Sequence, residues 1–217
     1  MRHNKVMDKK ILIVNDTRDM GKPYHPLFDF LGDVIYDFSY LDKDPDSIKL
    51  IVFTGGSDVQ PSFYKEPIGF HTYCDEDRDL QECKIFYKAK YLNIPMFGIC
   101  RGSQFLCVMN GGKLIQHCTG HQRDHYIVLN NKEKFLVSSA HHQMMIPSKN
   151  DEIIGWAEPK LSDCYLDGNN KQIDYDKEVE IVKFSDSKSY GVQFHPEIMD
   201  ENDKGVQYVK NILKEIT

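Results

Sequence analysis

The chain has 217 residues, of which 41% are hydrophobic and 28% charged, so it can bury a sizeable core without disulfides. The formal net charge of -6 argues against nucleic acid or an anionic membrane as a partner. No apolar run reaches the length of a spanning helix, and no secretory signal is predicted. Six cysteines without framework spacing are typical of reduced thiols, which predicts a cytoplasmic protein. We expect one domain over residues 1–217.

The first half of the chain alternates predicted strands with predicted helices. Apolar runs typical of buried strands occupy residues 10–15, 34–38, 50–54 and 95–98. Helices are expected at 26–31, 75–92 and 101–110. In the helix at 75–92, apolar spacing predicts a core-facing side made of Leu80, Cys83, Phe86 and Tyr87.

The second half is richer in short alternating stretches. These predict antiparallel strands at 113–116, 125–129, 135–138, 152–157 and 179–184. Residues 160–176 are polar and are expected to form a mobile surface loop or hairpin. A buried strand at 190–194 and an amphipathic helix at 202–216 follow. The predicted fold is α/β, with a mostly parallel central sheet flanked by helices on both faces and a small antiparallel extension.

One cysteine lies at a predicted turn from strand to helix. Gly98, Cys100 and Gly102 form the small-x-nucleophile-x-small pattern of a nucleophile elbow, with a thiol in place of a serine hydroxyl. Glycine is needed there because the turn is strained and two backbones pass closely. The helix N-terminus favours the thiolate of Cys100. The alternative is an ordinary core cysteine.

A histidine and a glutamate follow the strand predicted at 190–194. In an extended chain His195 and Glu197 would point to the same side, and Pro196 between them would hold that conformation. A carboxylate beside an imidazole can fix its tautomer and stabilise the imidazolium. The alternative is that the two residues share no role.

Three ordered blocks together resemble one family. GICRGSQ at 98–104, FHPE at 194–197 and TGGSDVQPSFY at 54–64 are similar to class I glutamine amidotransferase-like hydrolases. The last block most resembles the gamma-glutamyl hydrolases, including the gamma-glutamyl-GABA hydrolase type. The resemblance implies a flavodoxin-like fold and a catalytic triad of Cys100, His195 and Glu197. It also implies hydrolysis of a gamma-glutamyl amide through a thioester, with release of L-glutamate.

The resemblance also assigns the residues around the triad. The oxyanion hole would use the backbone N–H groups of Arg101 and Gly56. The glutamyl pocket would be lined by Gln104, His141, Ser139 and Gly55. No cofactor is expected.

Four residues nevertheless raise the question of zinc. His117, Cys118, His121 and His125 are ligand types, but their spacing fits no closed structural site, so we expect no metal.

Three functions stay open at this stage. The first is a free-standing hydrolase acting on a small gamma-glutamyl compound, the second a glutaminase subunit that hands ammonia to a synthetase, and the third a binding pseudoenzyme. The whole chain also resembles bacterial capsule-pathway hydrolases that act on gamma-glutamyl-CDP-amidate. A nucleoside diphosphate would need local cations, for which Arg123, His121, His125 and Lys65 are candidates. Homodimerisation stays open.

Overall fold

The computed structural model describes residues 9–16 and 20–217 and contains thirteen strands within them. The strands are β1 (Lys10–Val14), β2 (Asp33–Ile35), β3 (Ile48–Phe53), β4 (Met96–Ile99), β5 (Lys113–Ile115), β6 (His117–Cys118), β7 (His125–Leu129), β8 (Lys134–Val137), β9 (Met144–Ile146), β10 (Glu152–Ala157), β11 (Tyr165–Leu166), β12 (Val179–Phe184) and β13 (Ser189–Val192). The α-helices are α1 (Tyr40–Lys43), α2 (Glu76–Tyr91), α3 (Arg101–Met109) and α4 (Lys204–Ile216). None of these described helices is long and apolar enough to cross a membrane.

Nine strands form one sheet in the order β2-β1-β3-β4-β13-β12-β10-β7-β8. The pairings from β2 to β13 are parallel, and those from β13 to β8 are antiparallel. Parallel strands end at a common edge, and the register pairs Phe53 with Gly98 and Ile99 with Val192. The segments that follow β3, β4 and β13 therefore meet at one place.

Helical segments cover both faces of this sheet, as the sequence predicts. Ile11 and Ile13 of β1 pack in one cluster with the apolar side of α4, whereas Leu12 and Val14 pack in another with α2 and α3. This division follows from the alternation of side chains along a strand. The side of α4 predicted to be apolar is buried at every position: Val206, Val209, Ile212, Leu213 and Ile216.

The antiparallel part is larger than the predicted small extension. Strands β12, β10, β7 and β8 continue the main sheet, and β5, β6, β9 and β11 form two small separate sheets. Of the two alternatives predicted for residues 160–176, the hairpin is observed: Leu166 bridges antiparallel to Gln172, and β11 also pairs with β6. The helix expected at 26–31 is only a 3-10 turn, His25–Leu27. Strands β6 and β11 have only two residues each, which is too few for an alternating pattern to predict them.

The predicted core-facing side of α2 is correct at Phe86, which is fully buried, and wrong at Leu80 and Tyr87. Leu80 and Tyr87 are 47% and 62% exposed. The helix instead buries a face that begins with three charged residues: Arg78, Asp79, Glu82, Ile85, Phe86 and Ala89. The reason is a buried partner of opposite charge on another helix, Arg101 at the start of α3.

Candidate active site

Cys100 lies at a strained turn between β4 and α3. Its φ angle is 50°, a left-handed conformation that costs energy for any residue with a Cβ, and the residue is 8% exposed. A Cβ at Gly98 would lie 2.5 Å from the backbone of Gly102, and one at Gly102 would run into the carbonyl of Phe53. The glycines are therefore required by close backbone contacts, and α3 begins directly after the thiol.

His195 and Glu197 lie beyond the end of β13. Nδ1 of His195 is 2.7 Å from Oε1 of Glu197. The two residues are not joined by an extended chain as expected, because Pro196 begins a 3-10 turn over Pro196–Ile198. The main chain of His195 is held by Ser138, whose hydroxyl donates to the His195 carbonyl at 2.7 Å and whose carbonyl accepts from the His195 N–H at 3.3 Å.

The electrostatics of His195 link it to both neighbours. Burial acts to lower the pKa of His195, but the Cys100 sulfur and the Glu197 carboxylate beside the ring outweigh burial and raise that pKa to about 10. Nε2 of Gln193 lies 3.9 Å from the Cys100 sulfur. The arrangement therefore holds an imidazolium between a sulfur and a carboxylate.

The two predicted oxyanion donors lie on neighbouring segments of the same sheet edge. Gly56 is in the loop after β3 with a φ angle of 135°, which favours glycine. Arg101 is the first residue of α3, so its N–H is one of the donors that the helix itself leaves without an intrahelical partner. Because β3 and β4 are adjacent, both segments border Cys100.

The Arg101 side chain, which the sequence alone does not place, points away from solvent into a buried ionic network. Its guanidinium contacts the carboxylates of Asp79 and Glu82, and its Nε donates to the Ser57 carbonyl at 3.2 Å. Burial raises the pKa of Asp79, and the Arg101 charge offsets part of that rise. The residue after Cys100 is thus tied to the loop that contains Gly56.

Arg78 reinforces the same loop. Its Nε lies 2.8 Å from Glu82, and its second terminal nitrogen donates to the carbonyls of Thr54 and Gly55 at 3.0 and 2.8 Å. Sequence reasoning missed this network. The signal available was the spacing of Arg78 and Glu82, which are four residues apart and share a helix face.

The predicted glutamyl-pocket residues differ in what they offer a ligand. Gln104 is buried, its Nε2 donates to the Gln143 carbonyl at 3.2 Å, and its Oε1 has no hydrogen-bond partner among the described residues. The Ser139 hydroxyl already donates to the His121 carbonyl at 2.6 Å. The Gly55 N–H donates to the Tyr24 hydroxyl at 3.1 Å, and its carbonyl is held by Arg78. The Gly55 and Ser139 groups are thus engaged with protein.

His141 corrects another expectation. Its Nδ1 lies 2.9 Å from the Gln143 carbonyl and its Nε2 lies 3.3 Å from Glu180, so its ring offers no nitrogen to a substrate. Burial lowers the pKa of His141 to about 4, although Glu180 opposes this shift. The ring belongs to a buried cluster behind the active site rather than to the glutamyl pocket.

Two histidines proposed as phosphate contacts belong to the same cluster. His121 and His125 are 0% and 4% exposed, so neither can meet a diphosphate at the surface. Burial acts to lower the pKa of His121, but Glu178 and Glu180 outweigh it and raise that pKa to about 9. His117 is separate, because its ring stacks on His71 with centroids 4.0 Å apart.

Comparisons with known proteins identify the family and the fold. The family model of Peptidase C26 matches residues 36–197, which is most of the chain. The chain belongs to the Peptidase C26 family, a class I glutamine amidotransferase-like group. The fold is that of a glutamine amidotransferase from Thermotoga maritima, with a TM-score of 0.61 at 14% identity over 96% of this chain and 85% of that one.

Two curated relatives align along most of both chains. A gamma-glutamyl-CDP-amidate hydrolase of Campylobacter jejuni is 26% identical over 179 residues, 82% of this chain and 73% of the relative. A glutamine-hydrolyzing GMP synthase subunit of Ignicoccus hospitalis is 25% identical over 171 residues, 79% of this chain and 78% of the relative. Two further relatives match at 39% identity over shorter stretches, and this chain covers only 31% of the length of each.

Proposed function

We propose that this protein is a cysteine-dependent hydrolase that cleaves a gamma-glutamyl amide bond and releases L-glutamate. One observation carries the proposal: a cysteine on a strained elbow interacts with a histidine whose far nitrogen is 2.7 Å from a glutamate. A nucleophile, a proton carrier and an orienting carboxylate are the parts that acyl transfer requires. Membership of Peptidase C26 supports amide hydrolysis as the reaction class.

Each residue has a defined task in this reaction. The Cys100 thiolate attacks the gamma-carbonyl carbon, and the resulting oxyanion accepts hydrogen bonds from the N–H groups of Arg101 and Gly56. As the C–N bond breaks, His195 gives its proton to the departing amine. The neutral imidazole then takes a proton from water, whose oxygen attacks the thioester and releases glutamate and the thiolate. Glu197 keeps the His195 ring oriented throughout.

The glutamyl end of the substrate needs an acceptor for its ammonium group. Gln104 offers its Oε1, which is buried and has no partner among the described residues, and its Nε2 is already anchored on Gln143. An anchored amide is an efficient acceptor because little conformational entropy is lost on binding. We therefore keep Gln104 as the substrate contact and remove His141 from that role.

For the group beyond the amide nitrogen, we propose a cytidine diphosphate, so that the substrate is gamma-glutamyl-CDP-amidate. The similarity to the Campylobacter jejuni hydrolase supports this choice. Of the four cations considered from the sequence, Arg123 and Lys65 are exposed and could meet phosphate oxygens. The alternative is a glutaminase subunit that supplies ammonia to a synthetase, which the similarity to the Ignicoccus hospitalis protein favours.

The deciding experiment compares kcat/KM for gamma-glutamyl-CDP-amidate, gamma-glutamyl-GABA and free glutamine, with no added protein. We expect the nucleotide substrate to exceed glutamine by a wide margin, because binding energy beyond the amide can be used in the transition state. Arg123→Ala should lower kcat/KM for the nucleotide substrate alone, whereas Lys214→Ala on α4 serves as a matched change of surface charge.

The outcomes separate the candidate functions. A nucleotide substrate with no advantage over glutamine rejects the nucleotide assignment while leaving a gamma-glutamyl hydrolase. Equal and low rates on all three substrates, with glutamine hydrolysis rising when a synthetase is added, favour the ammonia-supplying role. No glutamate release from any compound removes the proposed function.

A further inference from the structure

Three histidines and a glutamate meet in the interior behind the active site. His121, His125, His141 and Glu180 are each 4% exposed or less. One ligand-type atom from each of His121, His125 and Glu180 lies within 4.8 Å of the others, and Nε2 of His141 lies 3.3 Å from the same Glu180 oxygen, Oε1. The proposed hydrolytic reaction uses none of these side chains, so the cluster needs a separate explanation.

Two of the rings have their hydrogens fixed by backbone carbonyls. Nδ1 of His125 lies 3.2 Å from the Arg123 carbonyl, and Nδ1 of His141 lies 2.9 Å from the Gln143 carbonyl. A carbonyl oxygen can only accept, so each Nδ1 must carry the hydrogen. A neutral imidazole has one N–H, which leaves each Nε2 with a bare lone pair.

Both bare nitrogens then face the same carboxylate oxygen. Nε2 of His125 and Nε2 of His141 lie 3.0 and 3.3 Å from Oε1 of Glu180. Lone pairs on nitrogen and on a carboxylate oxygen repel one another in a buried site unless a metal cation or a second ring proton lies between them. The other oxygen of Glu180, Oε2, has no hydrogen-bond partner among the described residues.

His121 completes the arrangement from the opposite side. Its Nδ1 lies 3.3 Å from Glu180 Oε1 and its Nε2 lies 3.3 Å from Glu178 Oε2, and neither nitrogen is aligned for a hydrogen bond with a described residue. Glu178 is itself held by the N–H groups of Leu161 and Ser162, each at 2.7 Å. Metal-binding histidines are usually oriented by a carboxylate or a backbone carbonyl on the ring nitrogen that does not bind the metal. Here Glu178 has that position for His121, and backbone carbonyls have it for His125 and His141.

We propose that His121, His125 and Glu180, whose ligand atoms already lie within 4.8 Å of one another, bind a divalent transition metal of the zinc type, with His141 turning in beside the same Glu180 oxygen as the fourth ligand. Bonds of about 2.0–2.1 Å in a tetrahedron place neighbouring ligand atoms about 3.3 Å apart, close to the three observed nitrogen-to-oxygen distances. A dication also balances the two buried carboxylates of Glu178 and Glu180. This site replaces the expectation of no metal drawn from the spacing of His117, Cys118, His121 and His125.

The site would have a structural role near the catalytic histidine. It joins β7 through His125, β12 through Glu180, and the segment at 138–143 through His141. That segment includes Ser138, whose hydroxyl and carbonyl hold the main chain of His195. The metal would therefore support the position of His195 without touching the substrate.

The first experiment measures metal content directly. The full chain carrying Cys100→Ala, which removes the catalytic thiol as a competing ligand, is expressed with added Zn²⁺ and dialysed against metal-free buffer. Adding the metal during expression matters because the ligands are buried and close around it as the chain folds. Elemental analysis should give about one zinc per chain, the stoichiometry of a closed four-ligand site.

Variants in that background locate the metal. Glu180→Gln should lower the zinc content at least about tenfold, because it removes a direct ligand. His117→Gln is the matched control, since His117 is a neighbouring histidine outside the cluster, and it should keep the full content. Less than about a tenth of a zinc per chain before any cluster change, or equal content in both variants, would overturn the proposal.

A second readout does not depend on whether the cluster variants fold. The Cys100→Ala chain is refolded with Co²⁺ alone, and its visible spectrum is recorded. Tetrahedral nitrogen and oxygen ligands should give strong visible bands without the near-ultraviolet band of a cobalt–thiolate bond. A thiolate band would assign the ion to a cysteine such as Cys118 and reject the ligand set. Absence of tetrahedral bands would show that the cluster carries protons only.

Discussion

Two buried groups of ionisable side chains lie on either side of the nucleophile elbow, and they differ in how completely they are paired. Cys100, His195 and Glu197 follow strand ends, and the carboxylate keeps one oxygen, Oε2, without a hydrogen-bond partner among the described residues. On the other side, the Arg101 guanidinium is enclosed by the carboxylates of Asp79 and Glu82 and by a backbone carbonyl. The first group therefore has a polar atom left for a further hydrogen bond, whereas the charges of the second group are paired within the protein.

This difference indicates a chemical role for the first group and a positioning role for the second. A proton carrier must be able to change its charge during turnover, and His195 can because its partners are a sulfur and a single carboxylate. The Arg101 guanidinium is instead held by two carboxylates and a backbone carbonyl, so its network can hold a fixed shape under the loop that contains Gly56. A substitution in the first group should therefore affect rate above all, whereas one in the second should affect stability above all.

The largest expected effect is the loss of activity on changing Cys100. Cys100→Ala should reduce hydrolysis of the best gamma-glutamyl substrate by about four powers of ten or more, because no other group can form the thioester. Circular dichroism should show that the fold is retained. Cys164→Ala, which changes a half-buried cysteine, provides the control and should keep full activity. Activity within about tenfold of the parent would require a different nucleophile.

The sequence allowed the first group to be predicted far better than the second. Cys100 and its glycines are contiguous, and so are His195 and Glu197, so local patterns show them. The parallel pairing of β4 with β13 then brings two segments about a hundred residues apart to one edge. The α/β fold itself was predicted correctly because long apolar runs and the period of α4 are strong signals.

The second group depends on contacts that no local pattern encodes. The acidic first turn of α2 suits the positive end of the helix dipole, a local signal that carries no information about burial. Asp79 and Glu82 are buried because the arginine that pairs with them belongs to a different helix. The histidine cluster escaped prediction for the same reason, since Glu180 is separated from His121 by most of the antiparallel strands.

The next largest effect should come from the second group. Glu82→Gln should lower the free energy of unfolding by about 3–5 kcal/mol, because it leaves Arg78 and Arg101 buried with one carboxylate fewer between them. Urea unfolding followed by circular dichroism measures the change. A matched control exists in the same helix: Lys88 pairs with Asp42 at 3.0 Å, but both side chains are exposed.

Asp42→Asn should cause no measurable loss of stability, because exposed ion pairs contribute little. If Glu82→Gln lowered the free energy of unfolding no more than Asp42→Asn does, the network would not position the elbow. If Glu82→Gln instead left stability intact and abolished turnover, the carboxylate would take part in the reaction, and the division between the two groups would fail.

The smallest expected effect concerns Glu197. Glu197→Gln should lower kcat/KM less than His195→Asn does, because the carboxylate orients and stabilises a ring that transfers the proton itself. Removing the imidazole should cost about 10²–10⁴-fold in rate, the usual contribution of a general acid–base. Steady-state kinetics with the best gamma-glutamyl substrate give both values, and the reverse order would show that the roles are exchanged.

A pH series tests the same carboxylate through stability. The pKa of His195 is about 10 in the folded protein, above the value of about 6.5 expected for the unfolded chain. A raised pKa stabilises the fold fully below about pH 6.5, and this contribution is lost as pH rises through about 10. Glu197→Gln removes one cause of the raised pKa, so the variant should be less stable than the parent at about pH 6.5, and the difference should shrink as pH rises beyond about 10. A difference that is constant across this range would show that Glu197 acts through packing rather than through the charge of His195.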